Sequence, residues 1–415
     1  MIRLVAPIFS LLASIALLLA GGGLLSTLLA MRGGVEGFNE LTLGLIMSGY
    51  FVGFFLGTFV APALIRRVGH IRAFAFYAAL AATTVLIYPL WVNPVAWTLL
   101  RVLTGLALVG LCTVIESWLN AQAAPEQRSR VFAIYMVVSL LALAAGQLLL
   151  DLQPPRSFVL FSVVAILISL ATLPIASTLL PQPVLAVAPR SNIWQISRMA
   201  PSAAVGSALA GLCLGAFWGM GPVYALESGL DRSGVGLFMS ITICGGAALQ
   251  FPIGSLSDRG DRRTTLAAVS LAAAVIALLA AVLSPGPGAL LFAMFFLIGG
   301  LTFALYPLCV AHLLDQLPAG ALLAGCSALL LLNGIGAALG PVAAGFLMHR
   351  FGPDSLPALF VVAAGLLAVI AGSRRLLHIR QRFHHAHFHP MLRSTPAALE
   401  LLPEIPDTSP EGLKP

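Results

Sequence analysis

The sequence predicts an all-α polytopic membrane protein with twelve transmembrane helices, arranged as two pseudo-symmetric six-helix halves. The first observation is composition: 59% of the 415 residues are hydrophobic, only 9% are charged, and the mean hydropathy is +1.00. Soluble folds rarely carry so much apolar surface. The second is a series of apolar runs, each long enough to cross a hydrocarbon core of about 30 Å. These long, continuous runs are not the short alternating segments of a β-barrel.

Six of the runs lie in residues 1–180, the predicted N-terminal half. The first, Val5 to Met31, is too long for a signal-peptide core and is followed by no polar cleavage region, which predicts an uncleaved span. The other five predicted spans cover residues 41–65, 73–92, 96–121, 131–150 and 158–180.

The third observation is a break between two sets of six spans. Residues 181–200 contain prolines together with Arg190 and Arg198, and they predict a central cytoplasmic linker. The C-terminal half is predicted at 201–373, and residues 374–415 form a tail that is expected to be disordered. Its six spans are predicted at 201–226, 234–256, 264–283, 289–313, 322–348 and 357–373.

Basic residues indicate how the spans are oriented. Seventeen Lys and Arg side chains lie on the side of the N-terminus and four on the opposite side. This asymmetry predicts that both termini are cytoplasmic. The net charge of +7 comes from short basic clusters between apolar runs, so it favours the lipid bilayer as partner and gives no support for nucleic acid.

Cysteine and histidine residues give little support for a metal site or a cofactor. The five cysteines lie in apolar segments without CxxC spacing, which is typical of small core residues. Four tail histidines could bind a transition metal, but the adjacent arginines favour attraction to anionic headgroups. These histidines are His384, His385, His387 and His389.

Arg101 and Glu116 are ionisable residues inside one apolar run, 96–121. A charge at membrane depth is costly and usually faces the bundle interior, so each is a functional candidate. They are about 22 Å apart along a helix and cannot pair directly. Arg101 could bind an anionic group or a partner carboxylate, or it could extend to the interface.

Glu116 lies at the predicted cytoplasmic end of span 4, where it could pair with Arg67 or Arg72 as part of a cytoplasmic gate. A proton carrier and a solvated helix end are the alternatives. In the second half, His312 and Asp315 are three residues apart on one helical face and could form the matching pair.

Gly105 and Gly300 lie opposite one another at an offset near 195, which suggests an internal repeat.

Several motifs resemble the major facilitator superfamily. GSLSDRGDRR (254–263) resembles its loop signature GxxxDRxGRR, and RVLTG (101–105) resembles its span-4 motif. Four further segments narrow the resemblance to the bacterial YcaD-like branch: SGYFVGF, IESWLN, LQFPIGSLSDR and LYPLCVAH. The resemblance implies the major facilitator fold, a secondary transporter and the bacterial inner membrane. Arg66 stands at the acidic position of the first loop signature, and the span-5 antiporter motif is absent, so the resemblance does not imply a drug/proton antiporter.

The loop signature also has a direct physical interpretation. Asp258 could accept hydrogen bonds from a helix N-terminus of the other half. Arg259, Arg262 and Arg263 could reach carboxylates across the interface. Such contacts would close the cytoplasmic side; alternatively, these charges only set topology and remain solvated.

Polar and aromatic residues in the middle of spans are candidates for lining a solute site. Buried amides need hydrogen-bond partners, whereas aromatic residues in spans often serve in packing. The candidates besides Arg101 are Tyr50, Gln147, Trp218, Tyr224, Gln250, Tyr306 and Asn333.

Together, these features predict a monomeric secondary transporter that moves a small solute by alternating access and is coupled to an ion, with the proton as the predicted ion. The alternatives are a polytopic membrane enzyme and a transporter-like sensor that does not transport. An enzyme would need several converging catalytic side chains, and no nucleotide-binding GxxxxGK[ST] loop is present. No metal or other cofactor is expected.

Overall fold

The computed structural model describes residues 8–124, 127–178, 181–183, 193–317 and 322–373. These ranges contain twelve helices long and apolar enough to span a membrane, and no β-strand. The predicted fold class is confirmed, and the helices are numbered like the predicted spans. They are α1 (Phe9–Val35), α2 (Glu40–Val68), α3 (His70–Ile87), α4 (Pro94–Gln122), α5 (Arg128–Leu148), α6 (Phe158–Leu170), α7 (Pro201–Glu227), α8 (Arg232–Arg259), α9 (Arg262–Leu283), α10 (Ala289–Leu314), α11 (Leu322–Phe351) and α12 (Ser355–Ser373).

Helix ends follow local capping and not hydropathy alone. The α2 helix continues through two arginines beyond its apolar run and ends before Gly69, whose φ of +86° favours glycine. Asp261 begins α9 by accepting a hydrogen bond from the Thr264 backbone N–H at 3.0 Å. Asn39, Asn93 and Asp231 cap α2, α4 and α8 in the same way. The tail histidines and Arg190 lie outside the described residues.

The two ends of the bundle are called inner and outer below. The inner end carries the α2–α3, α4–α5, α8–α9 and α10–α11 connections, and the outer end carries the connections after α1, α3, α5, α7, α9 and α11. In the charge-based prediction, the inner end is cytoplasmic.

Backbone contacts define the internal repeat. A Cβ atom at Gly105 in α4 would overlap the Tyr50 carbonyl oxygen in α2, and one at Gly299 in α10 would overlap the Thr242 carbonyl oxygen in α8. The predicted pairing of Gly105 with Gly300 is therefore wrong by one residue: a Cβ at Gly300 would meet the Leu249 side chain instead. The repeat offset is 192 residues from α2 to α8 and 194 from α4 to α10.

The two halves meet at two equivalent interfaces near the outer end. Ser48 Oγ in α2 donates a hydrogen bond to the Ala338 carbonyl in α11, and Ser240 Oγ in α8 donates to the Ala144 carbonyl in α5 at 2.9 Å. The serines are 192 residues apart and the alanines 194 apart. The α2–α11 and α5–α8 contacts are thus the same contact made twice.

Glycines bring these helices close together. A Cβ at Gly44 would overlap the Pro341 carbonyl oxygen, and one at Gly236 would lie 2.8 Å from the Gln147 carbonyl oxygen. These positions are again related by offsets of 192 and 194. Small residues permit such backbone approach between membrane helices. The outer parts of the two halves therefore pack tightly across the interface.

Candidate functional site

Arg101 is buried inside the bundle, with 2% of its surface exposed. Its Nη2 atom lies 3.4 Å from Ser26 Oγ in α1 and 3.3 Å from Met47 Sδ in α2. The guanidinium thus points toward the neighbouring helices of its own half. Extension toward the membrane interface, the alternative for this residue, does not describe its position.

Tyr50 lies beside Arg101. The Arg101 Cζ atom is 5.0 Å from the centre of the Tyr50 ring, within the range of a cation–π interaction. Tyr50 is also buried, and its ring packs edge-on against Phe51. Two of the predicted solute-site residues are therefore in direct contact.

Gln147 in α5 contacts Thr27, the residue that follows Ser26 in α1. Thr27 Oγ1 donates a 2.6 Å hydrogen bond to Gln147 Oε1, and both side chains are completely buried. The Gln147 Nε2 atom has no hydrogen-bond partner among the described residues. Adjacent hydroxyls of α1 thus contact the arginine on one side and the amide on the other. We call Ser26, Thr27, Tyr50, Arg101 and Gln147 the polar layer.

The two other predicted amides have backbone partners inside the second half. Gln250 Nε2 in α8 donates to the Phe303 carbonyl in α10 at 3.3 Å. Asn333 Nδ2 in α11 donates to the Ser207 carbonyl in α7 at 3.1 Å. Both side chains are buried, and these bonds join pairs of helices within that half.

The predicted aromatic candidates other than Tyr50 lie in the core of the second half. Trp218 stacks on Phe303 with ring centres 6.5 Å apart, and Tyr224 packs on Phe295 at 5.0 Å. Tyr306 is 6% exposed, and its hydroxyl has no hydrogen-bond partner among the described residues. The contacts therefore connect Arg101, Tyr50 and Gln147 through α1, while the other candidates pack separately in the second half.

The predicted gate residues of the second half form a charged cluster at the inner end. Arg262 Nη2 lies 3.1 Å from Asp258 Oδ1, and Arg262 Nε lies 2.9 Å from Asp315 Oδ2. The Arg262 and Asp315 side chains are almost fully buried, whereas Asp258 is 27% exposed. We call Asp258, Arg262 and Asp315 the inner triad; all three belong to the second half.

The remaining gate residues of the second half lie around the inner triad. Arg263 Nε donates to the Ala371 carbonyl in α12 at 2.9 Å, and Arg259 is exposed. The His312 ring nitrogen Nε2 lies 3.1 Å from Gln316 Nε2. The arginine contact thus links the α8–α9 connection to the end of α12.

The corresponding end of the first half buries Glu116 and His70. Glu116 is completely buried and accepts a 2.7 Å hydrogen bond from the Tyr135 hydroxyl in α5. The His70 side chain is buried, and its Nε2 atom lies 3.1 Å from Ser117 Oγ. Arg67 and Arg72 are both exposed on the surface.

Some residues that build the site were missed from the sequence. Ser26, Thr27 and Met47 contact the predicted residues but look like ordinary span residues. The serines and glycines of the interface carried a usable signal: GLIMS (44–48) and GLFMS (236–240) are nearly identical segments 192 residues apart. Aligning them would have predicted the paired interfaces.

Comparisons with known proteins agree with this architecture. The Major Facilitator Superfamily model matches residues 203–388. An uncharacterized MFS-type transporter of Enterobacter sp. (strain 638) is 29% identical over 87% of this chain and 93% of its own length. The uncharacterized MFS-type transporter YcaD of Escherichia fergusonii is 26% identical over 91% of this chain and 98% of its own length.

Solved structures share the fold at low sequence identity. The nucleoside transporter NupG aligns with a TM-score of 0.73 at 14% identity, covering 90% of this chain and 99% of NupG. A bacterial homologue of the human lysosomal transporter Spinster aligns at 0.71 and 14% identity, covering 91% of this chain and 98% of its own. The matched proteins are transporters, which argues against the membrane-enzyme alternative. The chain is therefore a bacterial multi-pass inner-membrane protein with the major facilitator fold, and over most of its length it is similar to uncharacterized MFS-type transporters, YcaD among them.

Proposed function

We propose that this protein is a proton-coupled transporter of a small neutral, amphipathic or singly charged solute. It works as a monomer with both termini in the cytoplasm. Alternating access comes from rocking of the two six-helix halves against each other. The observation that best supports this rocking motion is the pair of equivalent interfaces near the outer end. Each joins one helix of the first half to one helix of the second.

The chemistry of these interfaces suits a contact that opens and closes. Each uses a serine hydroxyl that donates to a backbone carbonyl, and such a bond contributes only about 0.5–1.5 kcal/mol net. Closing one end while opening the other exchanges a few modest contacts. States balanced within a few kcal/mol can then be shifted by solute binding.

The polar layer supports the proposed solute class. Arg101 supplies guanidinium donors, and Gln147 supplies a buried amide Nε2 without a partner among the described residues. The layer contains one basic side chain, and a polyanion would require more positive charge than it offers. An amphipathic solute can place its polar group toward these donors and its apolar part against the aromatic residues of the second half.

Proton coupling has support from Glu116. Its side chain is completely buried in α4, where a permanent charge is costly. As a carboxylate it accepts the Tyr135 hydrogen bond, and as an acid it can donate one itself. Both protonation states thus have a use at this position, alongside the predicted gating role.

The inner triad is our candidate for part of the cytoplasmic gate. With the outer end closed, Arg262 pairs with carboxylates of its own half. When the inner end closes, Asp258, its most exposed member, can also accept from the helix termini of the first half. Arg67, Arg72, Arg259 and Arg263 supply basic groups around that contact.

The test combines solute discovery with flux measurement. Cells with and without the protein are compared by untargeted metabolite profiling, and the comparison is repeated with Arg101→Ala. Purified protein in vesicles then receives the candidate solutes. We expect an imposed pH gradient to drive flux and a protonophore to abolish it. Flux that ignores both treatments but follows a sodium gradient would overturn the proton assignment.

A further inference from the structure

The equivalent interfaces each end in a contact between an acidic and a basic side chain at the outer surface. In the first, Glu40 at the start of α2 pairs with His349 near the end of α11, with Oε2 2.8 Å from Nδ1. In the second, Asp151 after α5 accepts a 2.7 Å hydrogen bond from Ser233 and lies 4.0 Å from Arg232 Nε at the start of α8. Both contacts join the two halves.

The internal repeat relates these contacts with their charges exchanged. Glu40 and Arg232 are 192 residues apart, so the acid of one contact occupies the position of the base in the other. The separation between Asp151 and His349 exceeds the 194-residue offset by four residues, about one helical turn. The two contacts differ in one respect that matters: arginine keeps its charge at every physiological pH, whereas histidine titrates near neutrality.

We infer that Glu40 and His349 form an external proton-binding latch, which closes the outer end when His349 is protonated from the outside. The Arg232–Asp151 contact closes the same end independently of pH. This inference concerns gating and goes beyond the proposed coupling to protons. His349 lies at the outer surface, so its proton controls the gate and does not need to cross the membrane.

The direction of the pH effect follows from ordinary side-chain chemistry. The pair carries both charges only while Glu40 is ionised and the His349 imidazole is protonated. Acid favours the protonated imidazole, and a neutral imidazole retains at most a hydrogen bond to Glu40. The outer end is therefore expected to be held closed most firmly at mildly acidic external pH and to loosen as the pH rises.

Other ionisable groups lie at the same end of the bundle as this latch. Glu227 at the end of α7 is exposed and is repelled electrostatically by Glu40. In α1, Arg32 Nε pairs with Glu36 at 2.6 Å, and Arg32 also donates to the Arg156 carbonyl. Arg350 is exposed beside His349 and is charged throughout. Glu227 is the group whose titration must be separated from that of His349.

Distances between spin labels at the outer end test the inference. Leu90→Cys and Val282→Cys place labels on exposed residues of the first and second half, 74% and 71% exposed, away from the latch. Cys244→Ser removes an exposed native thiol, and Cys112, Cys213, Cys309 and Cys326 are buried. Full-length protein in nanodiscs is measured at about pH 5.5 and about pH 8, on either side of the ordinary histidine value.

We expect the ratio of outer-closed to outer-open protein to fall about 1.5- to 5-fold from the acidic to the alkaline condition, the range of a partly exposed ion pair. His349→Gln and Glu40→Gln should remove this response. His349→Arg, which copies the base of the other contact, should hold the end closed at both pH values. Asp151→Asn should favour opening equally at both.

Glu227→Gln separates the neighbouring acid. Retention of the pH response in Glu227→Gln, with its loss in His349→Gln, supports the latch. An unchanged response in a folded His349→Gln protein, or a response lost only in Glu227→Gln, overturns it. The distances report the gate without any solute, so this result is independent of whether protons drive transport.

Discussion

The two halves share their helix contacts but differ in the layer that contains Arg101. Applying the α2-to-α8 offset of 192 to α1 places Trp218 at the position of Ser26, and the α4-to-α10 offset of 194 places Phe295 at the position of Arg101. Phe295 packs on Phe238 with ring centres 4.5 Å apart, so this layer of the second half is aromatic. The same scaffold thus supports hydrogen-bond donors in one half and an apolar wall in the other.

The inner ends differ in a similar way. His70 and Arg262 are 192 residues apart; the histidine lies against a serine hydroxyl, whereas the arginine pairs with two carboxylates. In contrast, the serine and glycine contacts between the halves are the same on both sides. Positions that hold the helices together are thus repeated, and positions that carry charge have diverged, which points to the diverged positions for specificity and gating.

The largest effect is expected at the buried charge of the second half. Asp315→Asn removes the more buried of the two carboxylates that pair with Arg262. Asp258 remains as a partner, so the expected cost is that of one charge-assisted hydrogen bond to a buried group, about 1.5–3 kcal/mol. Thermal unfolding of purified protein in detergent should show a clear loss of stability. If the inner triad were solvated like an ordinary surface cluster, the variant would unfold at the wild-type temperature.

Asp261→Asn is the matched control for this substitution. It makes the same chemical change in the same loop, but asparagine caps a helix about as well as aspartate. A small effect is therefore expected. Equal losses in both variants would show that the loop responds to any change in charge, and the special role of the buried pair would be wrong.

The next effect is expected in the layer that contains Arg101 in the first half and Phe295 in the second. Arg101→Phe places in the first half the residue that the second half has at the equivalent position. Removing a buried charge in favour of an apolar side chain is often neutral for stability, so the protein should fold. Flux of the identified solute should fall about ten- to hundredfold, equivalent to about 1.4–2.7 kcal/mol. Wild-type flux would mean that the polar layer does not contact the solute.

A smaller effect tests the register of the repeat. Gly105→Ala and Gly299→Ala each drive a Cβ into a backbone carbonyl, and overpacking of this kind costs about 1–3 kcal/mol. Gly300→Ala meets only the Leu249 side chain and no backbone atom; a side chain can shift more readily than a helix backbone, so its loss should be smaller. Equal losses of unfolding temperature for Gly299→Ala and Gly300→Ala would contradict the 194-residue offset.

The sequence was sufficient for the twelve spans because hydropathy over about 20 residues reports membrane crossing directly. It also identified Arg101, since a charge in an apolar run must face the interior. It did not reveal that Gln250 and Asn333 donate to backbone carbonyls, because an amide gives no indication of which carbonyl lies nearby. The Glu40–His349 contact was missed for a related reason: its partners are 309 residues apart and meet only after the two halves pack.

The smallest effect concerns Asp258, the most exposed member of the inner triad. Asp258→Asn removes an i,i+4 ion pair within the second half, which at this exposure contributes less than about 1 kcal/mol. It also removes the proposed acceptor for a helix terminus of the first half when the inner end closes, a contact of about 0.3–1 kcal/mol.

The first loss affects stability in both states, but the second affects only the inner-closed state, so the equilibrium should move toward the inner-open state by up to about fivefold. Cysteines introduced at the inner ends of α2 and α11 should then react faster with a polar thiol reagent, and those at the outer ends more slowly.

The first half gives the matched control. Arg66 occupies the position equivalent to Asp258, is exposed, and cannot accept a hydrogen bond from a helix terminus. Arg66→Gln should therefore leave both labelling rates unchanged, and identical behaviour of the two variants would reduce Asp258 to a topology signal.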